Sequence, residues 1–137
     1  MPHATGILET ALYVDDIDRA AAFYTRLFGF PVMRRDDRFC SLNVAPGQVL
    51  LLFRRGGTLS AVDTGNGMIP PHDGTGPLHM AFAIPADKLK AWEQKLAAEQ
   101  IAIESIVHWS RGSVSLYFRD PDGNLIELAT PGLWDNY

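Results

Sequence analysis

The sequence repeats itself, and an internal repeat constrains a fold more than any local motif because each copy has to solve the same packing problem. "LETALYV" (8–14) and "LHMAFAI" (78–84) are both short alternating strands, each followed by an acidic residue and an amphipathic helical stretch. The first helix is predicted from about Asp16 to Phe28, with Phe23 and Leu27 one turn apart. The second is predicted from about Asp87 to Glu99, with Leu89, Trp92 and Leu96 as its apolar stripe. Asp15, Asp16 and Asp87 lie where the helix dipole favours carboxylates, and Gly29 falls where a left-handed C-cap belongs. The later parts of the copies align as well: "FCSLNVAPGQVLLLF" (39–53) lies over "SLYFRDPDGNLIELA" (115–129), each a strand, a Pro/Gly turn and a strand. Each half therefore reads strand, helix, three strands. Module one covers about 7–55 and module two about 77–131, and the Gly-, Pro-, Asp- and Thr-rich stretch 56–76 is predicted to be a long exposed connection of the kind that often covers a site.

Composition narrows the partners. With 47% apolar residues, 137 residues bury a sizeable interior as one domain made of two half-sized modules. Sixteen acidic against twelve basic residues give a net charge of -4 with no basic stripe, so nucleic acid is not an expected partner. The longest apolar run, "VLLLF", is far short of the roughly 20 residues that span a bilayer. A single cysteine, Cys40, makes no internal disulfide and reads as a small buried hydrophobe. The opening "MPHATGILET" lacks the pattern of a secretory signal, and a cytoplasmic location is expected.

Strand parity sorts the unusual residues. Leu8, Thr10, Leu12 and Val14 share one face of the first strand and Ile7, Glu9, Ala11 and Tyr13 the other; Leu78, Met80, Phe82 and Ile84 lie opposite His79, Ala81 and Ala83. The large aliphatic faces should meet the helices, which leaves Glu9 and His79, equivalent in the repeat, among small residues on the opposite face. In "NLIELAT", Glu127 shares its face with Leu125 and Ala129, and its counterpart in the first half is Leu51. Each of these three has a plain structural explanation when taken alone, as a hydrogen-bonded core histidine or a solvated glutamate. Two carboxylates brought onto one half-buried surface, however, require a cation, a proton or a basic partner between them. If the halves pair face to face, a divalent metal held by Glu9, His79 and Glu127 is the economical solution. Two carboxylates and one imidazole suit Mn, Fe, Co, Ni or Zn, with positions left open for water or substrate.

"ETALYVDDIDRAAAFYTRLFGF" (9–30), "HMAFAI" (79–84) and "SLYFRDPDGNLIEL" (115–128) resemble the vicinal oxygen chelate superfamily, which includes glyoxalase I, fosfomycin-resistance proteins, bleomycin-binding proteins and extradiol dioxygenases. The resemblance covers nearly the whole chain. It implies an α+β fold of two paired βαβββ modules forming a cup-shaped mixed sheet around a metal or ligand site, and commonly a homodimer. It puts the metal ligands on Glu9, His79 and Glu127, although many members carry histidine at the position of Glu9. A glyoxalase I enzyme would need a fourth ligand where this chain has Leu51, which counts against that activity. Fosfomycin-resistance enzymes match more closely in ligand count and at Tyr117, a substrate-facing position, yet "LATPGLWDNY" lacks the basic residues their phosphonate requires. Extradiol dioxygenases use two histidines and a carboxylate, a set that Glu9 breaks, with His108, Tyr117 and His72 as possible helpers.

Among the remaining residues, Tyr13 shares the face of Glu9 and is placed to hydrogen-bond a ligand or to fill core. Trp109 and Arg111, in "HWSRGS", precede a strand at the expected rim of a pocket, where an arginine suits an anionic substrate. His72 is expected to face solvent, and Trp134 and Tyr137 to pack the tail onto the domain or onto a second subunit. The leading expectation is a metal-dependent enzyme (lyase, isomerase, thiol- or water-adding enzyme, or dioxygenase) acting on a small molecule, in which Glu9 or Glu127 doubles as a base and Tyr117 assists. The alternative is a metal-free binding protein that sequesters a cationic or aromatic compound.

Overall fold

Alternating side chains in Glu9–Val14 make the first strand, β1, with Leu12 and Val14 buried and Glu9 exposed. A computed structural model describes residues 1–137, which divide into two compact units, Met1–Gly76 and Pro77–Tyr137. In the first unit β1 is followed by α1 (Ile17–Phe28), β2 (Val32–Arg35), β3 (Phe39–Ala45) and β4 (Gln48–Arg54), and the sheet runs β1-β4-β3-β2. β1 pairs parallel to β4, with Glu9 opposite Val49, Ala11 opposite Leu51 and Tyr13 opposite Phe53, while β3 is antiparallel to both neighbours.

The ends of α1 follow from its sequence. Asp16 is the N-cap and accepts the Arg19 amide at 3.1 Å; Gly29, at φ 73°, donates to the Thr25 carbonyl at 2.9 Å from the left-handed conformation glycine adopts without strain. The helix buries Ile17, Ala20, Ala21, Tyr24 and Leu27 on β3 and β4, whose inward face supplies Cys40, Leu42, Leu50 and Leu52. Each large apolar side chain so buried contributes about 1.5–3 kcal/mol of transfer free energy. The buried aromatic is Tyr24, whereas Phe23, singled out by its spacing, is half-buried beside it with ring centroids 5.1 Å apart.

The connection is more ordered than its composition suggests. It forms a short antiparallel hairpin, β5 (Val62–Asp63) and β6 (Met68–Ile69), turned by Thr64–Gly67. It then returns to the sheet at His72–Gly74.

The second unit repeats the plan with β7 (His79–Ala83), a single 3-10 turn at Ala86–Lys88, α2 (Leu89–Ala98), β8 (Ser105–His108), β9 (Val114–Arg119) and β10 (Leu125–Ala129), in sheet order β7-β10-β9-β8. β7 is parallel to β10. Both halves are thus βαβββ modules with open mixed sheets, as the repeat predicts. The second helix is weaker: no side chain caps its start, Gln100 just beyond its C-cap Glu99 takes φ 59°, and of its expected stripe only Leu96 is buried, Leu89 and Trp92 being half-exposed. Its sheet core is Leu116, Phe118, Ile126 and Leu128. The C-terminal tail folds back on this unit, the Tyr137 hydroxyl donating to the Ala129 carbonyl at 2.8 Å, while Trp134 is exposed. No helix is long and apolar enough to cross a membrane.

Candidate functional site

The chemistry of the second unit gathers on the sheet face turned away from α2. The tight turn Asp120–Asn124 sets it up: Asp120 accepts the amides of Asp122 and Asn124, each at 2.9 Å, and the buried Asn124 side chain accepts the Leu78 amide at 2.9 Å. That last bond fixes the entry of β7 and places His79 opposite Leu125. The His79 Nδ1 then lies 2.9 Å from the Leu125 carbonyl. A carbonyl only accepts, so Nδ1 carries the proton and Nε2 points outward.

His79 Nε2 stands 3.2 Å from Oε1 of Glu127, a carboxylate only 6% exposed, while the His79 side chain is 50% exposed. The other carboxylate oxygen, Oε2, accepts a 2.5 Å hydrogen bond from Ser115, whose hydroxyl in turn accepts the Trp109 indole N–H at 2.9 Å. Trp109 and Ser115 thus form a directed donor chain that ends on Glu127, with His79 beside its other oxygen. With Nδ1 already donating, a neutral His79 presents a lone pair to another lone pair, an arrangement that requires a positive centre: a proton on Nε2, or a metal ion. The 3.2 Å separation also suits adjacent ligands of one cation, since bonds of about 2.1 Å at tetrahedral or octahedral angles put neighbouring donors roughly 3.0–3.4 Å apart. These residues therefore fit a divalent metal.

Tyr117 sits opposite Glu127 on β9, its ring centroid 6.4 Å from that of His79. Burial, and then the Glu127 charge, push its phenol pKa up, which keeps it a protonated donor at neutral pH. Arg111 is engaged by the tail, donating to Asp135 at 2.8 Å and to the Leu133 carbonyl at 3.1 Å. Within neither unit do three or more His, Cys, Asp or Glu side chains form a ready metal cage. Glu9 belongs to the first unit, His79 and Glu127 to the second.

In the first unit the corresponding sheet face is apolar. It opens into a cavity of about 450 Å³ whose lining includes Glu9, Leu51, Arg38, Phe39, Phe53 and His72, a size usual for small-molecule sites. His72 does not face solvent as expected. It lies edge-on to Phe53 with centroids 4.6 Å apart, and its Nδ1 is 2.7 Å from the Tyr13 hydroxyl. The returning connection holds it there: its carbonyl accepts the Thr58 hydroxyl, and its amide donates to Thr58 at 3.0 Å. The approach is close, since a Cβ on Gly74 would come within 2.5 Å of the Tyr13 ring. Burial, and then the Asp73 charge, push the Tyr13 pKa up.

Parity alone could have found Ser115, two residues before Tyr117 on the same face. Nothing local marks Arg38 or His72 as cavity residues.

The comparisons agree with this architecture. The model of the Glyoxalase/Bleomycin resistance protein/Dioxygenase superfamily matches residues 6–128. The chain is 33% identical over 118 residues to a catechol-2,3-dioxygenase of Bacillus subtilis, covering 85% of this chain and 38% of that protein, so it spans well under half the relative's length. It is 34% identical to a lactoylglutathione lyase of Agrobacterium tumefaciens, with a TM-score of 0.86 over 96% of this chain and 98% of that one. The fosfomycin resistance protein FosX of Listeria monocytogenes, solved with Mn(II) and sulfate, shares the fold at 18% identity and a TM-score of 0.71, covering 96% of this chain and 94% of that one. This chain belongs to the Glyoxalase/Bleomycin resistance protein/Dioxygenase superfamily.

Proposed function

We propose that the protein is a metal-dependent enzyme acting on a small molecule that offers two neighbouring oxygens. The observation that carries this reading is the pair of lone pairs, His79 Nε2 and Glu127 Oε1, held 3.2 Å apart with each group's other polar atom already committed. Glu9 is the third ligand in this reading, and Mn, Fe, Co, Ni and Zn are the cations the set accepts. When bound, such a cation polarises substrate oxygens and stabilises negative charge developing on them.

The chain's own groups divide the remaining work. Glu127 is pinned by Ser115 and serves as a holder. Glu9 is exposed and is the carboxylate that would take a proton from the substrate if it left the metal. Tyr117 donates to substrate oxygen beside Glu127. With one imidazole and two carboxylates, the set differs from the two-histidine triad of non-haem oxygenases and favours proton transfer or addition over dioxygen chemistry. The name of the Agrobacterium relative supports a lyase; that of the Bacillus relative keeps catechols among the compounds to be tried. A homodimer in the cytoplasm completes the reading.

A second reading has its own observation. A proton on His79 Nε2 satisfies Glu127 as well as a metal does, and the first unit's cavity is formed by protein groups alone. The protein would then be a metal-free binder of small molecules. Elemental analysis of protein purified without chelator separates the two: the enzyme reading predicts one equivalent of a first-row metal in wild type and none in Glu127→Ala. Metal-free wild type, or metal retained by Glu127→Ala, contradicts it. Turnover screens with diols, α-keto acids, thiol adducts and catechols then identify the reaction.

A further inference from the structure

We propose that the first unit's cavity selects a small carboxylate with a flat apolar body, and that Arg38 is the group that holds the carboxylate. This deepens the function proposed above and rests on it only in calling the occupant a substrate.

The walls select the body. Leu51, Phe53, Phe39 and Ile69 line the cavity, Tyr13 stacks on Phe53 at 5.9 Å, and His72 closes over Phe53. Two aromatic rings as walls and a third packed edge-on to one of them favour a planar occupant.

The charges set its direction. Arg38 lines the cavity, half-buried, with its guanidinium over the Phe39 ring at 5.8 Å and no carboxylate paired with it. The chain's other cavity-lining charge is Glu9. The Arg38 carbonyl accepts the Arg54 amide and Arg54 is level with Val14 in the sheet, so Arg38 stands at the far end of β1 from Glu9, roughly 13–17 Å of strand away. At the Glu9 end the proposed function already places the metal and the substrate's oxygens, and without a metal the Glu9 carboxylate itself repels an anion. At the Arg38 end it meets a planar fork of donors in a partly apolar setting, where such a bond is stronger than in open water. Oxygen donors of the substrate accordingly lie toward Glu9 and the carboxylate toward Arg38.

The test is isothermal titration with 3-phenylpropanoate and its uncharged isostere 3-phenylpropanamide, on protein as purified and after chelator treatment. Wild type is expected to bind the acid roughly tenfold to a hundredfold more tightly than the amide. Arg38→Gln should bring the two within about twofold while leaving amide binding and the melting temperature unchanged. Arg119→Gln, an exposed arginine of the second unit, should leave the preference intact. Leu51→Trp should block both compounds. Equal binding of acid and amide, a preference that survives Arg38→Gln, or no binding of either compound would overturn the proposal. A preference erased by chelator alone would also overturn it, because the metal would then be the anion's partner. If the protein purifies without metal and still shows the Arg38-dependent preference, the enzyme reading fails and this assignment stands.

Discussion

The two units share one plan and use it differently. The pairing registers match these positions: Glu9 corresponds to His79, Leu51 to Glu127, Ser41 to Tyr117, Phe39 to Ser115, Phe53 to Ala129 and Tyr13 to Ala83. Where the first unit sets three aromatic rings, the second sets a serine and two alanines. Where the second sets a buried carboxylate bound by a hydroxyl, the first sets a leucine. The same face is thus an apolar cavity in one copy and a hydrogen-bonded acid–imidazole pair in the other. Chemistry follows the side chains on the pleat, because the βαβββ backbone is common to both.

The helices differ as well. α1 has a side-chain cap, a glycine stop and five buried residues, whereas α2 has no side-chain cap and one buried residue. Leu27→Ala, which empties a position 1% exposed, should cost about 2–5 kcal/mol in urea unfolding, and Trp92→Ala in the second helix only about 1 kcal/mol. Equal costs would remove the asymmetry.

The hydroxyl that supports Glu127 gives the next effect. Ser115→Ala should weaken Mn(II) binding by about 10- to 100-fold in competition titrations, and Trp109→Phe, one bond further out, by less. Unchanged affinity in Ser115→Ala would separate the hydrogen-bonded chain from metal binding.

In the first unit, Gly74→Ala should cost about 1–3 kcal/mol and displace the His72 ring from Phe53, seen as a changed His72 imidazole shift by NMR, because the new methyl collides with Tyr13. The smallest contrast concerns helix starts. Asp16→Ala should cost about 1 kcal/mol by loss of its cap, and Lys88→Ala less than about 0.5 kcal/mol, since Lys88 makes no side-chain cap bond.

Much of this was legible in the sequence because a strand's side chains alternate strictly. Parity placed Glu9 and His79 as equivalents and Glu127 over Leu51, and the register agrees. Asp16 and Gly29 marked α1 because capping is local chemistry. What escaped depends on contacts between residues far apart in sequence. His72 meets Tyr13 across 59 positions, and no local signal in a Gly/Pro-rich stretch shows that it turns back onto the sheet. The expected rim residue Arg111 is drawn to Asp135 by a tail that folds back, again a non-local event. The stripe of α2 was visible, but how much of it is covered depends on packing that periodicity does not encode. Tyr24 rather than Phe23 fills the core because a shift of one residue turns a helix side chain by about 100°.

The most direct measurement of the central claim is anomalous diffraction at the manganese edge from crystals grown with Mn(II). The account predicts one peak per chain within about 2–2.3 Å of both His79 Nε2 and Glu127 Oε1. A map with no peak there, and with His79 and Glu127 joined directly by a hydrogen bond, would contradict it.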